Sequence, residues 1–499
     1  MKTSKKVLSC ALMTSLLIGI TACDGDTGSA GNSAPVAGTP ATTPVTTVDP
    51  DENAKTDTDI KDVDTAIYTP DGNAGTVKWL CYYDIHSDQK GAEQCLVFES
   101  EQYGGNIEYM TCPSGDAYLE RIATLIASDD SPDAVEQSVC RFPSTISRNM
   151  FEPLDDYIDI HSPMWEGMLD IIESYEYNGK HYKIPHMQTT SYALNYSKKT
   201  IEENNLPDPY ELYRNGEWTW DAWRNMMQQF CDRSEDNIGF YCTENVLLAI
   251  VNTTGATMVE IAPDGSLVSN IADPRVTRAM KFIEDLHRDG VTYAKQLGDW
   301  VPPETFAGNC DRLLFLLMEP EWTYTAATKQ LQNKTGIEND VFDTVSEFAF
   351  VPFPRDTDAD KYYQQSATWG IAVPKGAKNI KGAADMINCF RAYEVDEKVI
   401  EQVRQDHINP KPIYYTEGKY AGSRKWQITW GEQEYDLWIE MRESKGLEPV
   451  TEIADSGFDT NFWNIYAPVM NGIAFDGESW TQKSAEIAPV IEAALDEYR

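Results

Sequence analysis

Residues 77–83 read VKWLCYY, an apolar and aromatic run that predicts a buried β-strand and opens the segment that decides the fold. Residues 89–100 predict a helix, and residues 106–111 predict a second strand. Residues 116–127 place apolar side chains three and four positions apart, which predicts another helix, and a third strand opens at 132–135. This alternation predicts a parallel, doubly wound α/β sheet, on which ligands lie beyond the carboxyl ends of the strands.

The alternation continues downstream. The pattern predicts helices at 275–288 and 380–393, strands at 346–352 and 370–374, and a fully buried apolar run at 312–318. A chain of 499 residues, 41 % of them apolar, is long enough to build two or more lobes with packed cores.

The chain opens with three lysines and an apolar run at 7–20, and small residues then precede Cys23. This order predicts a secretory signal peptide at 1–22, which is too short and wrongly flanked for a spanning helix. Residues 20–23, Ile-Thr-Ala-Cys, resemble a bacterial lipobox, in which the cysteine thiol is acylated. The resemblance implies that a lipid on Cys23 anchors the protein at the outer face of the cytoplasmic membrane, on the extracellular or periplasmic side.

Residues 23–77 are rich in Gly, Ser, Thr and Pro and lack apolar periodicity, so we predict a flexible tether ahead of the folded body. The formal charge of −39 becomes −39 − 3 = −42 once the three signal-peptide lysines are removed. Such an acidic chain argues against a nucleic-acid partner, because phosphate binding needs clustered basic side chains.

Eight cysteines follow Cys23, an even number that permits disulfides outside the cell. Cys231 and Cys242 flank a polar turn, and we predict a disulfide between them. No CxxC spacing points to a structural zinc site. His181 and His186 lie five apart around a proline and cannot share a helix face, so the sequence predicts no metal site.

Several longer segments carry a family resemblance: DAYLERIATLIASDDSPD at 116–133, YALNYSKK at 192–199, EWTWDAW at 217–223, FAGNCDRLLFLLMEPEW at 306–322 and TWGIAVPK at 368–375. In this order and spacing they resemble the extracellular solute-binding proteins of ABC importers, in the group with maltose- and oligosaccharide-binding members. The likeness covers the chain from Val77 to Arg499.

The resemblance implies a two-lobed α/β fold of the type II periplasmic-binding-protein kind, with a hinge between the lobes. Residues 78–188 and 368–400 would form lobe 1, and residues 189–367 and 401–499 would form lobe 2. It also implies a monomer without a cofactor, whose lobes close on a ligand and whose closed form is read by the importer's permease subunits.

Sugars present an apolar face and a rim of hydroxyls, which aromatic rings and carboxylates or amides recognise. The chain has 13 Trp and 26 Tyr, more than packing alone requires, and this count favours a carbohydrate ligand. The resemblance places Trp322, Trp369 and Trp463 at the cleft, although a core position is the alternative for each.

Further candidates follow predicted strands. Tyr83 and Asp84 end the first strand, where Tyr83 could stack on a sugar and Asp84 either binds hydroxyls or caps the next helix. Glu319 and Glu321 precede Trp322, and we expect one to reach the ligand and the other to be solvated. Arg141, just past the third strand, is a weaker candidate.

The sequence carries none of the common hydrolase, metalloprotease or nucleotide-binding motifs, so we predict that the protein is not an enzyme. The function expected is capture of a carbohydrate and its delivery to an ABC importer. One alternative is a surface glycan-binding or sensor lipoprotein that is not coupled to transport. The other is a surface glycosidase, since paired acids are abundant in this chain.

Overall fold

The computed structural model describes residues 60–86, 91–189, 192–242, 244–262, 266–292, 301–321, 323–324, 347–409, 430–443, 445–454 and 460–496. Strands in these segments are β1 (Gly75–Cys81), β2 (Gly105–Thr111), β3 (Ala134–Glu136), β4 (Glu176–Tyr177), β5 (Lys180–His181), β6 (Ile184–Thr189), β7 (Ala193–Ser197), β8 (Ile238–Tyr241), β9 (Val259–Ile261), β10 (Leu267–Ser269), β11 (Leu313–Met318), β12 (Phe348–Val351), β13 (Tyr362–Gln365), β14 (Ala367–Ala372) and β15 (Leu447–Val450).

The α-helices are α1 (Ala92–Phe98), α2 (Asp116–Ala127), α3 (Ser144–Ser147), α4 (Leu169–Glu173), α5 (Lys198–Glu203), α6 (Pro209–Arg214), α7 (Trp220–Cys231), α8 (Glu244–Asn252), α9 (Pro274–Arg288), α10 (Pro303–Asn309), α11 (Ile380–Val395), α12 (Glu397–Ile408), α13 (Glu432–Arg442), α14 (Thr460–Asp476) and α15 (Trp480–Asp496). Short 3₁₀ helices lie between these elements at Gln137–Val139 and Pro163–Met168.

The first lobe is built on a five-stranded sheet with the order β2-β1-β3-β14-β6. β1 runs parallel to both β2 and β3, as the strand–helix alternation of the sequence predicts. β14 comes from much later in the chain and lies antiparallel between β3 and β6. Helix α2 buries Tyr118, Ile122 and Leu125, and the Tyr118 hydroxyl donates a hydrogen bond to the carbonyl of Leu80 in β1.

The second lobe is built on a four-stranded sheet with the order β12-β7-β11-β8. All six residues of β11 are buried, which explains why this strand is a continuous apolar run rather than an alternating one. β11 pairs antiparallel with β7 and parallel with β8. The side-chain amide of Asn195 in β7 donates to the carbonyls of Leu316 and Met318, at 3.1 and 2.8 Å.

The chain crosses between the two sheets more than once. β6 belongs to the first sheet and β7 to the second, whereas β12 belongs to the second and β14 to the first. Between β12 and β14, β13 pairs in parallel with β15, and the N–H of Ser366 donates to the carbonyl of Val450 at 2.8 Å. This arrangement is the two-lobed α/β fold expected from the sequence.

Residues 60–74 correct the predicted extent of the tether, because they pack against the first lobe. Val63 is 3 % exposed, and Ile67 and Tyr68 pack on the same core. The Tyr68 hydroxyl donates to Asp385 of α11 at 3.2 Å, and its ring stacks on Tyr103. A few buried apolar side chains suffice to order a segment whose overall composition is polar. Composition alone therefore placed the start of the folded domain too late in the chain.

The predicted disulfide is not formed, because neither Cys231 nor Cys242 takes part in a disulfide in the described part of the chain. Cys231 is the last residue of α7, and Cys242 comes after the four residues of β8. A strand of that length extends about 13 Å, which carries Cys242 away from the turn that the two cysteines flank.

Residues 1–59 lie outside the described segments, and with them the predicted signal peptide and Cys23. In the part of the chain that the structure describes, no helix combines the length and the apolar character needed to cross a bilayer.

Candidate functional site

The loop after β1 brings together two of the predicted residues. The Tyr83 ring is half-buried, 5.0 Å from that of Tyr82. Asp84 is exposed and accepts hydrogen bonds from the backbone N–H of His86 at 3.0 Å and from its ring at 2.8 Å. The capping alternative for Asp84 is wrong, because Gly91 occupies the N-cap of α1. Asp84 therefore braces the loop that carries Tyr83.

Trp369 lies in β14, next to β6, and its ring is half-buried. His186 of β6 packs edge-on behind it, with ring centroids 5.0 Å apart. Burial, followed by the charges of Arg391 and Arg442, lowers the pKa of His186 to about 3, so this imidazole is neutral. Gly370 lets the strands approach closely here, since a Cβ on it would lie 2.9 Å from the Cα of Pro185. Trp369 is thus fixed from behind, as a stacking platform requires.

Gln137 is a polar neighbour of Trp369 that sequence reasoning missed. It sits in the 3₁₀ turn directly after β3 and is 3 % exposed. Its side-chain nitrogen donates to the Thr368 hydroxyl at 3.0 Å, and its buried Oε1 accepts no hydrogen bond within the described segments. Its place at the carboxyl end of a parallel strand was the available signal, because ligand-binding groups collect there.

The carboxyl end of β11 supplies the acidic groups of the second lobe. Glu321 accepts a hydrogen bond from the indole nitrogen of Trp438 at 2.6 Å, so it is not simply solvated. Glu319 keeps part of its surface exposed, yet its Oε2 is buried and has no hydrogen-bond partner among the described residues. Burial raises the pKa of Glu319 to about 7. An acceptor oxygen held dry and unused is a candidate contact for a ligand hydroxyl.

Arg442 joins the two halves of the site. It ends α13 in the second lobe and lies over the ring of Trp438, 4.5 Å from the centroid. It also pairs with Glu394 of α11 at 3.0 Å and donates to the carbonyl of Gln188 at 3.3 Å. Gln188 pairs with Thr368 across β6 and β14. The sequence offered no local signal for Trp438 or Arg442, because they reach the site from a helix far along the chain.

The remaining predicted site residues lie elsewhere or outside the description. Trp322 is not among the described residues. Trp463 is 9 % exposed in α14 and belongs to the hydrophobic core, so a ligand contact for it stays a prediction. Arg141 pairs with Asp116 at 2.7 Å, at the start of α2.

A second concave surface lies on the second lobe alone. This hollow of about 800 Å³ is lined by residues of α7, α9 and the loop after β12. Its charged groups largely satisfy one another: Arg224 pairs with Asp289 at 2.5 Å, and Arg278 pairs with Asp356. It therefore lacks the convergent, unsatisfied polar groups that mark a small-molecule site.

The two-lobed fold described above is the fold of the protein family that the sequence matches. Residues 97–405 match the model of the bacterial extracellular solute-binding protein family, which is more than half of the chain. The chain belongs to this family. No curated protein matches the sequence.

Solved structures of similar fold come from several bacteria. The cyclic alpha-maltosyl-1,6-maltose binding protein of Arthrobacter globiformis superposes with a TM-score of 0.58 at 14 % identity, covering 85 % of this chain and 99 % of its own. The sugar-binding protein MalE of Xanthomonas citri gives 0.57 at 14 % identity, covering 85 % and 98 %. The GacH receptor of Streptomyces glaucescens, determined unliganded and with acarbose, gives 0.56 at 14 % identity, covering 85 % and 99 %. At these identities the likeness shows the fold alone.

Proposed function

We propose that this solute-binding protein captures an oligosaccharide between its lobes and presents it to the permease subunits of an ABC importer. One observation carries the proposal: a braced, half-buried indole at Trp369 is linked through Gln188 and Arg442 to the acidic end of β11. A ring for the apolar face of a sugar and oxygens for its hydroxyls are the two elements that carbohydrate recognition needs.

Closure of the lobes is the mechanism that this arrangement supports. Arg442 and Glu394 belong to helices of different lobes, and their side chains are only 16 % and 15 % exposed. A ligand held by both lobes would add to such contacts and favour the closed state, because it binds that state better than the open one. The lobe boundaries at 78–188 with 368–400 and at 189–367 with 401–499 are part of this proposal.

The proposed location rests on the first residues of the chain. A lipid on Cys23 would keep the protein at the outer face of the membrane, close to its permease partner. The solved relatives support a sugar as cargo: the bound ligands are acarbose for GacH and beta-1,6-galactobiose for a binding protein of Bifidobacterium animalis.

A thermal-shift screen with a panel of oligosaccharides tests the proposal and identifies the ligand class. We expect the melting temperature to rise with one group of sugars, because a ligand that binds only the folded state stabilises it. Chromatography should recover that sugar intact. Release of shorter sugars would instead establish a glycosidase.

Once a sugar is found, Trp369→Ala tests the site directly. Loss of the stacking surface should weaken the affinity more than tenfold, measured by calorimetry. Tyr157→Ala is the matched control, because it removes an aromatic ring that is 44 % exposed and distant in sequence from the site. Equal affinities for the two variants would rule out Trp369 as a binding residue.

A further inference from the structure

The hairpin of β4 and β5 assembles a cluster of three side chains outside the interlobe site. Glu176 of β4 pairs directly with His181 of β5, and Glu173 ends α4 just before the hairpin. One ligand atom from each side chain lies within 4.8 Å of the other two. The two glutamates are exposed, whereas His181 is 8 % exposed.

Asp155 fixes the orientation of the His181 ring. One of its carboxylate oxygens accepts from the backbone N–H of His181 at 3.1 Å, and the other contacts the ring Nδ1 at 2.9 Å. In the tautomer that donates from Nδ1 to this carboxylate, the lone pair of Nε2 is available. Metal-binding imidazoles typically have a carboxylate that holds the ring from the far side in this way.

The Nε2 atom of His181 is buried and makes no hydrogen bond with any residue that the structure describes. It points into the cluster, where Glu173 Oε2 lies 3.8 Å away. A buried polar atom without a hydrogen-bond partner needs an explanation, and a bound cation supplies one.

We propose that Glu173, Glu176 and His181 form a binding site for a divalent transition-metal ion, with Zn²⁺ as the best match. Two carboxylates and a neutral imidazole give a net charge of −2 and a mixed oxygen and nitrogen donor set, which suits zinc better than calcium or magnesium. Tetrahedral bonds of about 2.0–2.2 Å place ligand atoms roughly 3.4 Å apart. The exposed glutamates reach that spacing by small side-chain rotations, and water completes the coordination.

The position of the site gives it a structural role. Ser174, next to Glu173, forms a hydrogen bond with Thr451 at 2.8 Å, and Thr451 directly follows β15. Thr451 also contacts Ser366, which directly precedes β14, at 3.2 Å. A metal bound to Glu173 would therefore brace the end of α4 beside a contact between distant parts of the chain.

The sequence predicts no metal site, because it has no CxxC spacing and because His181 and His186 cannot share a helix face. The cluster contains a single histidine, and a two-residue hairpin strand supplies one of its acids. Such a site has no spacing that separates it from the many other acidic positions of this chain.

Calorimetric titration of the chelator-treated protein with Zn²⁺ tests the site. We expect one equivalent to bind and to raise the melting temperature. Glu176→Gln should weaken binding at least about tenfold while leaving the fold intact, because this side chain is exposed. Asp155→Asn should weaken binding about 10–100-fold through the misoriented imidazole.

Co²⁺ provides a readout that a merely structural effect would not move. The absorption spectrum of the Co²⁺ form should show ligation by nitrogen and oxygen. The absence of a thiolate charge-transfer band would exclude the cysteine thiols as ligands. His161→Gln is the control, because it removes an exposed histidine that also has an aspartate neighbour, Asp159. Wild-type affinity in Glu176→Gln, or a thiolate band with Co²⁺, would overturn the proposal.

Discussion

Glu319 and Glu452 are buried carboxyl groups in two regions of the molecule, and their surroundings differ in one respect. Glu319 follows β11 at the interlobe site, and Glu452 follows β15 beside the end of α8. Burial raises the pKa of each to about 7. The energetic problem of placing a carboxylate out of water is thus similar for both.

The two carboxyl groups differ in the hydrogen bonds that they accept. Glu452 accepts hydrogen bonds from the backbone N–H groups of Met258 at 2.8 Å and Ala454 at 3.0 Å, and from the side chain of Asn252 at 3.0 Å. The Oε2 of Glu319 accepts no hydrogen bond from the part of the chain that the structure describes. The comparison shows that burial and a raised pKa do not by themselves mark a functional group. The unused hydrogen-bonding capacity separates the carboxyl proposed to bind the ligand from the structural one.

Glu452→Ala should have the largest effect of the predicted changes. It leaves the N–H groups of Met258 and Ala454 buried without an acceptor, and each such loss costs about 1–3 kcal/mol. The free energy of unfolding should fall by about 3 kcal/mol, measured by urea denaturation. Glu452→Gln keeps one acceptor oxygen and should cost less. Stability equal to the wild type in Glu452→Ala would break the comparison.

Glu319→Gln should weaken oligosaccharide affinity about tenfold, because an amide is a poorer acceptor for a sugar hydroxyl than a carboxylate. Glu452→Gln serves as the matched control and should leave affinity unchanged. Calorimetry with the sugar found in the thermal screen measures both. If the two variants bind equally well, Glu319 is a structural group like Glu452.

The smallest effect concerns the stability of the ligand-free protein against pH. The pKa of the Glu319 carboxyl rises on folding from 4.5 to about 7, so this group stabilises the folded state fully below pH 4.5. That contribution is lost as the pH rises through about 7. At pH 8, Glu319→Gln should therefore stabilise the protein by on the order of 1 kcal/mol. Its unfolding free energy should also depend less on pH between 5 and 8. A stability loss at pH 8 would contradict the assignment.

The sequence predicted the parts of the molecule that local pattern determines. The strands and helices from β1 to β3 follow from residue periodicity, and their parallel order follows from the alternation of the two. Tyr83, Trp369 and Glu319 could be proposed as binding residues from the sequence because they lie at or beside strands that the pattern reveals.

The sequence failed where the outcome depends on contacts between distant segments. Trp438 and Arg442 enter the site from α13, and nothing in residues 432–442 distinguishes them from other helical residues. The Cys231–Cys242 prediction used the turn between the two cysteines but not the length of β8. Residues 60–74 looked like tether because the anchors Val63 and Tyr68 find their partners more than thirty positions away.

The attachment of residues 60–74 has a mechanical consequence. The backbone N–H of Asp64 donates to Asp396 at 2.8 Å and Tyr68 donates to Asp385, so this segment is fastened to α11 and the residue that caps α12. Tension applied from the amino-terminal side enters the body through the first lobe. With the proposed lipid anchor at Cys23 and the proposed closure of the lobes, the first lobe would stay in place while the second lobe moves, so the proposed permease partner would meet one fixed and one moving surface.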